Sequence, residues 1–184
     1  MKIIGVSGSA ATSRRTRALI NEVLRSVRGH GIETEVIDLA DTQLEFCDGR
    51  PFDHYNSSTK DVLEKIRDAD AYIFGSPMYR GTMTGALKNL IDLLPTEFMK
   101  GKAAGLIATG GSDHHYLGLE LGFRTALSFF QVHTIPGILY CSKVEVINGE
   151  IADEHIKKKA YELGEDIVNL AKSTRGKALG PSLY

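Results

Sequence analysis

The chain has 184 residues, of which 42% are hydrophobic and 24% charged, with a formal net charge of −1. This is the composition of an ordinary folded domain, long enough to bury about two-thirds of its unfolded surface with no metal or disulfide staple. The balanced charge argues against a nucleic-acid or membrane-surface partner, and against a small acidic electron shuttle that steers by a strong field.

Strand and helix patterns alternate from the start. Lys2 to Ser7 is a short apolar strand, and Arg15 to Val27 places Leu19, Ile20, Val23, Leu24 and Val27 at helical spacing. Thr34 to Leu39 is a second strand, Ala40 to Ser57 reads as loop, and Ser58 to Arg67 is a helix with Val62, Leu63 and Ile66 on one face. A third strand, Ala71 to Gly75, runs through a Pro/Tyr/Gly turn into a helix over Thr84 to Leu94. Ala103 to Ala108 is a fourth strand, His115 to Phe130 a helix, Thr134 to Tyr140 a fifth strand, and Asp153 to Lys172 a closing amphipathic helix. Residues 1–172 therefore read as a single domain, and 173–184 as a tail that is flexible or docks on a neighbour.

Five apolar strands separated by helices imply an α/β three-layer sandwich: a parallel sheet with helices on both faces. Right-handed crossovers in so short a chain favour the flavodoxin-like strand order 2-1-3-4-5. Ligands in such sheets bind at the carboxyl ends of the strands. Three of those ends, residues 8–16, 75–85 and 109–115, are rich in Gly, Ser, Thr and Pro.

In the first loop, Ser9, Ser13 and Thr16 can donate to phosphate oxygens and Arg14 or Arg15 can neutralise charge. The same residues would also serve as a hydroxyl-rich helix start with solvated arginines. In the second loop, the stretch Ser76 to Arg80 can offer backbone N–H groups to the polar edge of a ring system, with Tyr79 or Met78 packing against it. Lys88 and Asp92, four apart on the following helix, read as an ion pair. In the third, Thr109, Gly110, Gly111 and Ser112 could cover the far edge of a ring, with Ser112 or His115 adding a hydrogen bond.

No G-x-G-x-x-G follows the first strand and no G-x-x-x-x-G-K-[ST] occurs, so a tightly held dinucleotide and an NTPase are both disfavoured. A monophosphate such as that of FMN suits a hydroxyl-lined loop better. Adjacent His114 and His115 lack the spacing of metal ligands, so no metal is expected. Consecutive Ser112, Asp113 and His114 cannot form a nucleophilic relay.

Two cysteines, Cys47 and Cys141, show no paired spacing, and the apolar start Met1-Lys2-Ile3-Ile4-Gly5 is too short for a secretory signal. A cytoplasmic protein with free thiols is expected.

The block Gly75 to Leu94, G-S-P-M-Y-R-G-T-M-T-G-A-L-K-N-L-I-D-L-L, resembles the [TS]-P-x-Y-x-x-x-x-[ST]-G-x-L-K-N-x-x-D signature of the NADPH-dependent FMN reductase family. Ala108 to Ser112, A-T-G-G-S, is similar to the third loop of the alkanesulfonate-system members of that family. The resemblance spans roughly residues 1–172. It implies FMN bound by Ser9, Ser13 and Thr16 at the phosphate, by Pro77, Met78 and Tyr79 along the ring, and by Thr109 to Ser112 at its far edge.

The chain departs from the family in its first loop. Ala11 stands where many members carry arginine, and Arg14 where a serine is usual, with Ser13 one position early. Arg14 or Arg15 would then compensate. Cys47 is alone in the segment where related iron–sulfur flavoproteins carry a cysteine cluster.

The reaction implied is hydride transfer from NADPH or NADH to flavin and on to a small acceptor: free flavin, a quinone, an azo compound or a metal oxyanion. No side chain need act as acid or base. Arg80 and His115 are candidate substrate contacts. A non-enzymatic FMN electron carrier is the alternative on the same fold. The helix after the third loop carries more apolar residues than one face needs: Leu117, Leu119, Leu121, Phe123, Leu127, Phe129 and Phe130. With the family analogy, that points to a homodimer or homotetramer.

Overall fold

The buried apolar runs form a parallel sheet in a computed structural model that describes residues 1–11, 14–113 and 116–180. Its strands are β1 (Lys2–Ser7), β2 (Glu33–Asp38), β3 (Ala71–Pro77), β4 (Ala103–Thr109), β5 (His133–Thr134) and β6 (Leu139–Cys141), in the order β2-β1-β3-β4-β5, with β6 continuing alongside β4. The helices are α1 (Arg15–Gly29), α2 (Ser57–Asp68), α3 (Gly85–Leu93), α4 (Tyr116–Phe129) and α5 (Glu154–Thr174). This is the flavodoxin-like arrangement expected from the alternation of elements.

Because successive strand residues point to opposite faces, each strand supplies two cores. Ile4, Val6, Tyr72, Phe74 and Leu106 pack under α2, α3 and α4 against Leu63, Ile66, Leu87, Leu90 and Phe123. Ile3, Ile73 and Ile107 pack under α1 and α5 against Leu19, Ile20, Val23 and Ile167. Each fully buried Leu, Ile or Phe contributes about 1.5–3 kcal/mol of transfer free energy. Side-chain caps fix three helix starts: Asn56 accepts from Thr59 N, Thr84 from Leu87 N, and Asp153 from His155 N and Ile156 N.

The fifth strand differs from its expected form. Thr134 to Tyr140 is broken in two: Ala104 pairs with Thr134 and Ile107 with Leu139, so the chain bulges out between. Pro136 cannot donate to the ladder, and Gly137 takes a left-handed φ of 78°. Arg124 of α4 holds the bulge by donating to Thr134 Oγ1 (2.6 Å), Ile135 O (2.9 Å) and Gly137 O (2.8 Å).

A two-stranded hairpin, β7 (Val146–Ile147) and β8 (Glu150–Ile151), follows β6. Its turn is Asn148-Gly149, both with positive φ, the residue pair that favours a tight hairpin. Beyond α5 the chain turns back, so that Gly176 and Ala178 lie against Gly101, and His133 Nε2 lies 2.8 Å from Lys177 O. Among the described residues no helix is long and apolar enough to cross a membrane.

Candidate functional site

The carboxyl ends of β1, β3, β4 and β6 converge on one open cleft of about 220 Å³. Its walls are Ser9, Ala11, Arg15 and Thr16 from the first loop and the start of α1, Pro77, Met78 and Tyr79 after β3, and Thr109, Gly110 and Gly111 after β4. Cys141, Ser142 and Val144 complete it.

The loops are tied to each other through buried polar contacts. Thr84 Oγ1 donates to Gly8 O (2.5 Å), and Gly8 N donates to Gly75 O (2.7 Å). Thr16 Oγ1 and Thr109 Oγ1 lie 3.1 Å apart, both side chains buried. Met78 N donates to Thr109 O (2.7 Å), and Gly110 N to Cys141 O (3.1 Å). A hydrogen bond left unmade in such a setting costs about 1–3 kcal/mol, so the loops hold one relative position.

Beyond β1, α1 begins at Arg14 in a left-handed conformation (φ 56°) with no side-chain cap. Among the described residues its first amides have no acceptor, and the helix dipole there favours an anion. Ser7, at the end of β1 on the face that α1 covers, is buried with its hydroxyl unpartnered. Arg15 is exposed and lines the cleft. Arg14, weighed equally with it from the sequence, faces elsewhere: it donates to Asp38 Oδ2 (2.6 Å) and grips Asp41 at 2.6 and 2.7 Å. Of the two arginines, Arg15 is the one that lines the cleft.

After β3, Tyr79 N donates to Thr82 O (2.9 Å) and Thr82 N to Tyr79 O (3.2 Å). Arg80 (φ 52°) and Gly81 (φ 91°) form the tip of this tight turn. Pro77, Met78 and half-exposed Tyr79 make an apolar shelf. The Met78 and Tyr79 amides, expected to face a ring, are already bonded. Those of Arg80, Gly81 and Gly111 have no acceptor among the described residues.

Three other candidates do not line this cleft. Ser76 is fully buried, accepting from Thr84 N (3.1 Å) and donating to Pro77 O (2.9 Å), so its hydroxyl shapes the turn. Ser112 lies just outside, its carbonyl receiving the Tyr140 hydroxyl. The Arg80 side chain sits on the exposed tip of the turn. Ser13 and His115 fall outside the described residues. Lys88 Nζ reaches Asp92 Oδ1 at 2.6 Å, forming the ion pair that its spacing implied.

Sequence reasoning missed Cys141, Ser142 and Val144, which lie at or just beyond a strand end not counted among the ligand-facing three, and it gave Ala11 of the first loop no contact. It also missed Tyr140, which braces the third loop from behind. A Cβ added to Gly110 would stand 2.2 Å from the Tyr140 hydroxyl, so this glycine is required for space. Burial pushes the Cys141 thiol up to about 11, which keeps it protonated near neutral pH.

No carboxylate lines the cleft, and Arg15 is its one charged residue among those described. An anion-receptive helix start, hydroxyls, a glycine pair and an apolar shelf fit a phosphorylated aromatic cofactor, and FMN in particular. For such a cofactor the redox chemistry would come from the flavin, while the chain binds and orients it.

Fold and cleft together define a flavodoxin-like flavoprotein. Residues 1–145 match the family model of NADPH-dependent FMN reductases, and the chain belongs to that family. It is 34% identical over 174 residues to an NAD(P)H-dependent FAD/FMN reductase of Geobacillus thermodenitrificans, covering 92% of this chain and 93% of that one. It is 33% identical over 162 residues to an NADPH FMN reductase of Pseudomonas aeruginosa, covering 86% of each. Among solved structures, the apo form of an NADH:FMN oxidoreductase superposes with a TM-score of 0.72 at 24% identity, over 94% of this chain and 89% of that one.

Proposed function

We propose that this chain is an NAD(P)H-dependent FMN reductase whose flavin lies in the cleft between Arg15 and Tyr79. Bound FMN would accept a hydride from NAD(P)H and pass the electrons to a small acceptor. The protein binds the phosphate at the start of α1 through Arg15, Ser9 and Thr16, and lays the ring along Pro77 to Tyr79. Gly110 and Gly111 let the backbone approach the ring's far edge, and the Gly111 amide, which has no acceptor among the described residues, would donate to it. Such a fixed donor would favour a ring whose charge grows more negative on reduction.

One observation carries this reading: the cleft joins an uncapped helix start and a cation to an apolar shelf, with no carboxylate or histidine among its described lining residues. Anaerobic stopped-flow with NADH and NADPH, with and without added FMN, tests it. Rapid bleaching of flavin absorbance is expected with at least one reductant. Failure to bind FMN, or binding without bleaching, would refute it.

The exposed side chains of Leu117 (67%), Leu121 (68%) and Phe129 (52%) on α4 support a homo-oligomer built on that helix. A Leu121→Lys change should shift the gel-filtration peak to the monomer, and a wild-type monomer would remove the idea. Residues 1–172 are read as one FMN-binding domain and 173–184 as an appendage. Two unpaired thiols support a reducing, cytoplasmic setting.

A further inference from the structure

A second open cleft, of about 600 Å³, adjoins the first. The two share Arg15, Gly111, Ser142 and Val144, so Arg15 stands on a wall common to both. The second cleft adds Lys143, Glu145 and Asp153. Its groups divide by their engagement. Asp153 is committed to the start of α5, accepting from His155 N (2.8 Å) and Ile156 N (3.1 Å). Exposed Arg15, Lys143 and Glu145 have no ion pair or side-chain hydrogen bond among the described residues. Two uncommitted cations, one uncommitted carboxylate, the capping carboxylate of Asp153 and a hydroxyl thus face a concavity that continues the proposed flavin site.

Each group answers a different part of one ligand. Paired cations suit a diphosphate. A carboxylate suits the two hydroxyls of an unmodified ribose and repels a phosphate on them. We infer that this second cleft is a subsite for an adenosine 5′-diphosphate moiety. Arg15 and Lys143 would hold the diphosphate, and Glu145 the ribose diol. The inference rests on the flavin reading above, because Arg15 joins the subsite to the proposed FMN phosphate position.

Two redox ligands carry this moiety: FAD, whose diphosphate is the flavin phosphate joined to that of AMP, and the nicotinamide dinucleotide reductant, whose diphosphate is separate from the flavin's. Both the diphosphate and the free diol belong to FAD and NADH, whereas NADPH bears a phosphate on the ribose. Glu145 would therefore disfavour NADPH if the reductant is the source.

The test titrates the protein with ADP by calorimetry before and after loading with FMN, then measures FMN, FAD, NADH and NADPH with Lys143→Ala and Glu145→Gln. Saturable ADP binding is expected, weakened about five- to tenfold by Lys143→Ala, the scale of one lost charge-assisted contact. The FMN dissociation constant should not move in either variant, which also reports intact folding. If FAD is the source, its affinity falls in Lys143→Ala in parallel with that of ADP. If the reductant is the source, the NADH KM rises instead at constant kcat, and Glu145→Gln improves NADPH relative to NADH. Absence of ADP binding to a protein that binds FMN overturns the subsite alone. So does ADP binding that neither substitution alters. Failure of the wild type to bind FMN would instead overturn the reading on which the subsite rests.

Discussion

Replacing Gly110 by alanine isolates the packing of the third loop. The added carbon would stand 2.2 Å from Tyr140 Oη and 3.1 Å from Cζ, against an ordinary contact distance of 3.4–4 Å. The ring can yield only by swinging away, which breaks its hydrogen bond to the Ser112 carbonyl and its edge contact with Tyr116. Overpacking of this kind costs about 1–3 kcal/mol. Tyr140→Phe alone loses one neutral hydrogen bond to a partly exposed carbonyl, about 0.5–1.5 kcal/mol. In the double variant the nearest atom is gone and the remaining approach is the 3.1 Å one, so most of the clash is relieved. The two changes should therefore couple by about 1 kcal/mol, outside the ~0.3–0.5 kcal/mol scatter of independent sites. Urea unfolding of the four proteins measures the coupling. FMN fluorescence titration should show affinity reduced in Gly110→Ala and partly restored in the double variant. Strict additivity in stability, or an unchanged FMN affinity in Gly110→Ala, would refute the claim that Tyr140 braces a ligand-facing loop.

Further expectations follow from other contacts. Arg15→Ala should weaken FMN binding about tenfold, the scale of a lost charge-assisted phosphate contact, whereas Arg14→Ala should leave it nearly unchanged. Equal effects in fluorescence titration would mean that the pairing of Arg14 with Asp38 and Asp41 does not decide the role. Thr109→Val strands the Thr16 hydroxyl in a buried position and should cost about 1–3 kcal/mol in urea unfolding of the apoprotein. A Thr109→Ser change should recover most of that loss. For acid stability, the Arg50 guanidinium bonds Asp48 and lowers its carboxyl from 3.8 to about 2. Between those values the unfolded chain binds more protons, so the stability that this pair adds is full above 3.8 and lost as pH falls towards 2. Unfolding midpoints of the wild type should drop more steeply over that interval than those of Arg50→Ala, and parallel curves would contradict the assignment.

What the sequence disclosed, and what it concealed, divides along the range of the interactions. Local periodicity placed every long element to within a few residues, because burying an apolar face dictates spacing in the chain itself. The break in the fifth strand was also local: Pro136-Gly137 inside a strand pattern is a warning that the apolar run from Thr134 to Tyr140 overrode. The hidden parts were those set at long range. Adjacent Arg14 and Arg15 are indistinguishable by type. Their roles separate because Arg14 is left-handed at the helix start and because Asp38 and Asp41, from the end of β2, stand beside it. Cys141, Ser142 and Val144 enter the cleft for a similar reason. Thr109 pairs in register with Cys141, so whatever follows β6 must border whatever follows β4. A position on a neighbouring strand end can thus place an ordinary residue in a site without giving it a recognisable motif. The strand order therefore points to flanking segments, such as Ser142 to Glu145, where specificity would be decided by residues that do not betray it individually.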